Sequence, residues 1–288
     1  MKSRKLSLEK SRSLYGFLFV LPGLLGFFVF VFIPLLFTLY YSMFDGGGSF
    51  DPIGNITALF RSRSFLIALR NTGFYVLVGG GLAIVISFVL AWLLFELVKR
   101  NVKGSSVIKV GYLMPMVLSS AVSVLFVELL FQYTGVINQT FGTTVDWLTT
   151  SPYTFWLLVL LYIWKNFGYN VVIFLVAFTG IDPAVYEAAK CDGAGTLRIL
   201  HSIVIPQITP SFFFVLIMSI IGVFKMNRES YLLFGDYPSE SAYMFQNFIN
   251  NNLSKLDYNR AACSAMILFV LFAILVTFIV SRTERTDA

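Results

Sequence analysis

Histidine is nearly missing from this chain, with His201 alone, and cysteine occurs only at Cys191 and Cys263. One imidazole and two distant thiols cannot build a cluster of histidines, whether for metal or for catalysis, or a disulfide framework. Charge is scarce as well: 12% of 288 residues are Asp, Glu, Lys or Arg, against about 25% in a soluble domain. A Gly-x4-Gly-Lys-Ser/Thr phosphate loop is absent, because Lys103-Gly104-Ser105 has the wrong order and the Gly-rich runs lack the lysine. Apolar residues fill the space left by these types. Hydrophobic residues make up 57%, phenylalanine alone contributes 31, and mean hydropathy is +0.80. Such a chain cannot cover a soluble monomer with polar groups, and the same composition excludes disorder and collagen-like repeats.

About 20 apolar residues are needed to cross the hydrocarbon core as a helix. Six runs meet that need, at residues 14–41, 73–98, 107–131, 153–179, 210–233 and 261–280. They are continuous rather than alternating, which predicts helices and not a barrel. The first run follows a basic tail but is too long for the apolar region of a signal peptide, about 7–15 residues. It therefore reads as a retained helix, with Pro22 and Pro34 bending its ends. The expected class is an all-α membrane protein with six transmembrane helices. Residues 1–13 form an N-tail, 14–280 one membrane domain without clear repeats, and 281–288 a C-tail. Lysine and arginine concentrate in the N-tail (Lys2, Arg4, Lys5, Lys10, Arg12), the second turn (Lys99, Arg100, Lys103, Lys109), the loop 180–210 and the C-tail. Residues 132–152 carry neither. The positive-inside rule then places both termini in the cytoplasm.

Loop 180–210, between helices 4 and 5, is long and rich in helix formers. Asp182 suits a helix cap and Pro183 the first helical position, so 184–190 reads as helix. Asp192-Gly193 breaks it, and a second short helix over 196–203 stops before Pro206. The residues alone are equally consistent with an interfacial linker and with a docking knob. The stretch Glu187-Ala188-Ala189-Lys190-Cys191-Asp192-Gly193-Ala194 through Ile203-Val204-Ile205-Pro206 resembles the EAA motif of ABC importer permeases, with Ile205 in place of leucine. Further stretches are similar to the maltose-type carbohydrate uptake permeases. These are 18–34, Ala68-Leu69-Arg70-Asn71-Thr72, Leu113-Met114-Pro115, Trp164 with Gly168, and Ile181-Asp182-Pro183. Residues 225–258 depart from the family by lacking its Gly-Gly-Pro pattern.

The resemblance implies a permease subunit of the bacterial plasma membrane that is not itself an enzyme. Its loop would dock in a separate ATPase subunit through Glu187, Ala188, Ala189, Asp192, Gly193, Ala194 and Pro206. Glu187 would face a basic residue there. ATP and magnesium would belong to two such ATPases, so no cofactor is expected on this chain. A second homologous permease, an extracytoplasmic sugar-binding protein and membrane lipid are the other implied partners, with no nucleic acid.

Polar residues inside spans are costly and often functional. Tyr162, Lys165, Asn166 and Tyr169 fall at i, i+3, i+4 and i+7, one helical face near mid-membrane, with Asn170 beside them. Aromatic faces and amides suit a sugar; packing tyrosines and a lysine paired to a neighbouring subunit fit the same pattern. The family resemblance places a translocation site there and adds Ser219, Gly222, Val223 and Met226 on the fifth helix. Glu128 or Glu229 is the expected partner of Lys225. The resulting expectation is half the membrane pathway of an ATP-driven importer for a sugar or oligosaccharide. Glycerol-phosphate or another small polar solute is the alternative within that class. An ion-coupled secondary transporter is the alternative outside it, with Lys165 and Glu128 as its few ionisable groups.

Overall fold

The computed structural model describes residues 16–100 and 102–284. The expected N-tail, with its five cations, and the last four residues lie outside the described residues. Helix dominates because a chain surrounded by lipid must satisfy its own backbone. Among the described residues, six helical segments are long and apolar enough to cross a membrane: Gly16–Met43 (α1), Arg63–Lys99 (α3), Ser120–Phe141, Tyr153–Thr179 (α7), Thr209–Phe234 and Tyr258–Ser281. Among the described residues there is no strand, only a bridge between Phe44 and Phe50.

Two compact units are present. One contains the described residues of Met1–Arg61 together with Asn252–Val270. In it, α2 (Pro52–Arg61) is tied to the end of α1, where Asn55 Nδ2 donates to the carbonyls of Ser42 at 3.1 Å and Phe44 at 2.9 Å. Asn259, near the start of the last helix (α13, Tyr258–Glu284), donates to the Tyr41 and Phe44 carbonyls. These amides satisfy carbonyls that a helix end leaves open.

The other unit, Ser62–Asn251 with Leu271–Ala288, holds the elements that matter most for function. Helix α3 starts ten residues before the apolar run, at Arg63 rather than Gly73. That first stretch is polar in sequence but buries Phe65, Ala68, Asn71 and Thr72. Asn71 Nδ2 donates to the carbonyls of Glu240 and Tyr243, and Thr72 Oγ1 accepts from Phe245 N–H at 2.8 Å. Tertiary hydrogen bonds therefore extend a helix whose polar residues read as loop.

The third apolar run is not one helix. It divides into α4 (Ser105–Val117) and α5 (Ser120–Phe131), followed by α6 (Val136–Phe141). Pro115 lies inside α4, Leu118 is extended, and Ser119 caps α5 by accepting from Val122 N–H. A proline removes one helical donor and crowds the preceding turn, so the helix ends soon after it. The 13 residues of α4 rise only about 20 Å, short of a full crossing. Gly168 allows α4 to lie directly on α7. A Cβ there would fall inside the van der Waals envelope of the Tyr112 carbonyl oxygen. Gly168→Ala is expected to destabilise the protein by about 3 kcal/mol, the upper end for overpacking. A thermal melt in detergent reads this, and an unchanged melt would contradict so close an approach.

The fifth run also breaks. Helix α10 (Thr209–Lys225) stops at Met226, and α11 (Asn227–Phe234) follows. The polar stretch after it is largely helical, with a short turn at Glu240–Ala242 and α12 at Phe245–Ser254. Asn247 and Asn251 are buried in it, and Asn247 Oδ1 accepts from Met244 N–H. Asparagines that read as loop residues here close the packing of helices.

Candidate functional site

Two groups of residues stand out, an exposed knob and a polar face inside the spans. The knob begins where Gly180 ends α7. Asp182 Oδ1 accepts from Ala184 N–H at 2.9 Å and Pro183 opens α8 (Pro183–Cys191), as the sequence predicts. The end of α8 explains the motif spacing. Gly193 has φ +76°, Ala194 N–H donates to Ala189 C=O at 2.9 Å, and Gly193 N–H donates to Lys190 C=O at 3.0 Å. This pair of bonds closes a helix end with a left-handed residue, a conformation that glycine adopts at no steric cost. The four-residue step from Ala189 to Gly193 is thus set by backbone closure. A second helix, α9 (Thr196–Ile199), continues through a π turn at Leu200–Val204 into Ile205–Gln207. It does not stop before Pro206. Pro206 instead lies inside this continuous run, directly after the π turn.

Glu187, Ala188, Asp192, Gly193 and Pro206 are exposed, while Ala189 and Ala194 pack partly against the core. Leu197 is 81% exposed, an apolar side chain presented outward on the same knob. Underneath, Tyr186 is buried beside Phe95 of α3, and its hydroxyl donates to the Phe178 carbonyl at the end of α7. Burial first, and the nearby Glu96 carboxylate second, push its phenol up to about 12, so it remains a proton donor at any physiological pH.

The polar face lies on α7, and the structure sorts its residues by burial. Tyr162 is fully buried, its hydroxyl donating to the Ser219 carbonyl at 2.6 Å, and Asn170 Nδ2 donates to Ser219 Oγ at 3.1 Å. Asn166 Nδ2 donates to the Tyr162 carbonyl, and the Asn166 Oδ1 lies against Gly222. Asn166, Tyr169 and Gly222 are half-buried, whereas Ser219, Val223 and Met226 are inside the packing. The structure therefore brings the α7 and α10 residues together along one seam. Tyr162, Ser219, Val223 and Met226 form its packed back and Asn166 and Gly222 its more open side, while Tyr169 is half-buried further along α7.

Lys165 has a partner within the chain. Its ammonium meets Glu229 Oε1 at 2.5 Å, with the two side chains 13% and 5% exposed. Ser120 Oγ donates to the same oxygen at 2.8 Å. Glu229 therefore pairs with Lys165, not with Lys225. Helices α5 and α11, each starting just after a break, are pinned at this point to the unbroken α7. Sequence reading missed Glu229 in this role; the signal was a lone span lysine that required an acid. A cavity of about 280 Å³ elsewhere, between α3 and α10, is lined by Ile84, Phe88, Ile208 and Phe212 and holds no charged group.

The family model described as "Binding-protein-dependent transport system inner membrane component" matches residues 83–283, more than half of the chain. The chain belongs to this family. The permease is 31% identical over 235 residues to the lactose transport system permease protein LacF of Rhizobium radiobacter, covering 78% of each chain. It is 28% identical over 295 residues to the arabinooligosaccharides transport system permease protein AraP of Bacillus subtilis, covering 96% of this chain and 91% of that one. Its fold matches a chain of a bacterial alginate ABC transporter solved in complex with an alginate pentasaccharide-bound periplasmic protein. The TM-score is 0.81 at 21% identity, covering 97% of this chain and 96% of that one. The permease is thus a multi-pass membrane transport subunit with the all-α ABC permease fold.

Proposed function

We propose that the chain forms half of the membrane pathway of an ATP-driven importer for a sugar or oligosaccharide. A second, homologous permease completes the pathway, an extracytoplasmic binding protein delivers the solute, and two separate ATPase subunits bind ATP and magnesium. The observation that carries this reading is the knob: a closed helix pair holding Glu187 outward, on a chain without a phosphate loop. Both termini and the knob lie on the cytoplasmic side, in keeping with the distribution of lysine and arginine. Closure of the ATPases drives the two permeases' knobs together, and the pathway turns from inward- to outward-facing as rigid bodies move. The sugar assignment is supported by the names of the relatives. The half-buried Asn166 and Tyr169 offer the amide and aromatic ring that a sugar uses.

Lys165 is occupied by Glu229, so it is not a free anchor for a phosphate ester. The same pairing weakens the ion-coupled alternative, which needs ionisable groups free to exchange protons or ions. Asn166→Ala and Tyr169→Ala are each expected to lower sugar uptake while the complex still assembles. Uptake at the parental rate in both variants would remove these residues from the pathway. The decisive test of the function is purification of the tagged chain from native membranes in mild detergent, with partners identified by mass spectrometry. An ATPase and a second permease with its own EAA loop are expected. A chain that comes out alone, under conditions where comparable importers remain intact, would favour the ion-coupled alternative.

A further inference from the structure

We propose that Tyr186 is the positioning residue that makes the exposed knob and the membrane helices move as one body. The inference rests on the reading that the knob docks an ATPase. Helix α8 touches the rest of the unit over a narrow area. Of its nine residues only Tyr186 is buried, at 3% exposure, and Ala189 is the sole half-buried one. The second half of the knob is seated in the same core by Ile199 and Val204, so within α8 itself Tyr186 is the main side chain that joins Glu187 to the spans. Tyr186 sits in a three-sided seat. Its ring centroid lies 5.6 Å from that of Phe95, the Lys99 ammonium stands 4.6 Å over its face, and its hydroxyl reaches the Phe178 carbonyl at 3.3 Å. Lys99 is the last residue of α3 and Phe178 the last but one of α7. One tyrosine thus grips the ends of two spans.

The contacts rank by physical strength. Lys99 is exposed, so its attraction to the ring face is modest, and the tilted ring contact with the buried Phe95 adds to it. The hydroxyl bond at 3.3 Å is longer than a good O–H···O bond, about 2.5–3.0 Å. The aromatic ring, more than the hydroxyl, carries the connection. A well-packed contact transmits displacement because interiors are dense and resist compression. Filling the seat with a small residue leaves α8 itself with no large side chain in the core, joined to the spans through Ala189 and through the flanking segments seated by Ile181 and Ile199.

The test uses the complete complex in nanodiscs, with Cys191 and Cys263 replaced by serine. Spin labels are placed at Lys190→Cys on α8 and Val176→Cys on α7, both exposed positions. With Tyr186 present, the label distance is expected to stay narrow and unchanged when ATP and vanadate are added. Tyr186→Phe should behave the same way. Tyr186→Ala should broaden the distribution or shift it by about 2 Å or more on ATP–vanadate, while ATP hydrolysis persists. Lys99→Gln should broaden it to a lesser degree. Tyr186→Leu, which fills the seat without a π face, serves the same purpose if the alanine variant fails to assemble. A narrow, unchanged distribution in Tyr186→Ala, or in Tyr186→Leu where the alanine variant does not assemble, would overturn the strut and leave the coupling reading intact. Equal loss in Tyr186→Phe would overturn the ring-based account. A complex that contains no ATPase would overturn the coupling reading, and the strut with it.

Discussion

Glu187→Lys is expected to abolish uptake while leaving the amount of protein in the membrane unchanged. Glu187 is exposed on α8, so the substitution buries nothing and breaks no ion pair among the described residues. Its effect must come from what docks there. If a basic residue of an ATPase faces Glu187, the variant places two like charges together at a partly desolvated interface. Such juxtaposition costs several kcal/mol, which corresponds to about 100-fold or more in docking. The check has two parts: membrane level by immunoblot, and transport by whole-cell uptake of the sugar. Full uptake with normal membrane level would count heavily against the knob as the ATPase contact. Glu187→Gln separates charge from shape. It removes the attraction without creating repulsion, and should retain more uptake than the lysine variant.

Cutting the Lys165–Glu229 pair from one side is expected to cost far more than removing it whole. Lys165→Met leaves the Glu229 carboxylate buried, with Ser120 Oγ as its remaining hydrogen-bond donor. Glu229→Met leaves the ammonium without its carboxylate. Removing one member of a buried pair typically costs about 3–5 kcal/mol, because the other charge stays uncompensated. The double variant Lys165→Met with Glu229→Met removes both charges and their desolvation cost. Replacement of a whole buried pair by apolar side chains is often neutral or stabilising. Thermal unfolding of the purified protein in detergent should therefore rank the parent and the double variant together, well above both singles. Additive losses, with the double variant below either single, would show that the site does not hold a mutually compensated pair. The geometry adds a further expectation. Since α5 and α11 meet α7 at this point, the single variants should loosen those two helices first, which hydrogen exchange can locate.

Much of this protein was legible in its residues, for a definite reason. Hydrophobicity over about 20 residues is a local property, and lipid forces a local solution, the helix. The six crossings and the all-α class therefore followed from the sequence. The start of α8 followed as well, because Asp182, Pro183 and Gly193 act through bonds to residues only a few positions away. Where interactions are long-range, pattern reading went astray. The beginning of α3 at Arg63 depends on Asn71 and Thr72 meeting the backbone around residues 240–245. The polar stretch after Met226 buries asparagines such as Asn247 and Asn251, a burial that no local pattern announces. The break before Ser120 carried a visible signal in Pro115, but the length of the apolar run around it masked the signal.

The site divides in the same way. The motif residues of the knob were identifiable in sequence order, since the knob is built from one continuous stretch. Its anchorage was not, because Tyr186 is held by Phe95, Lys99 and Phe178 from two other helices. The face of Tyr162, Lys165, Asn166 and Tyr169 is a matter of helical period and could be read directly. Which of these side chains is packed and which is half-open, and that Lys165 belongs to Glu229, were decided by tertiary structure alone. Glu229 lies 64 residues away along the chain. No periodicity connects such residues, and only the packing of α7 against the broken helices around it brings the two charges together.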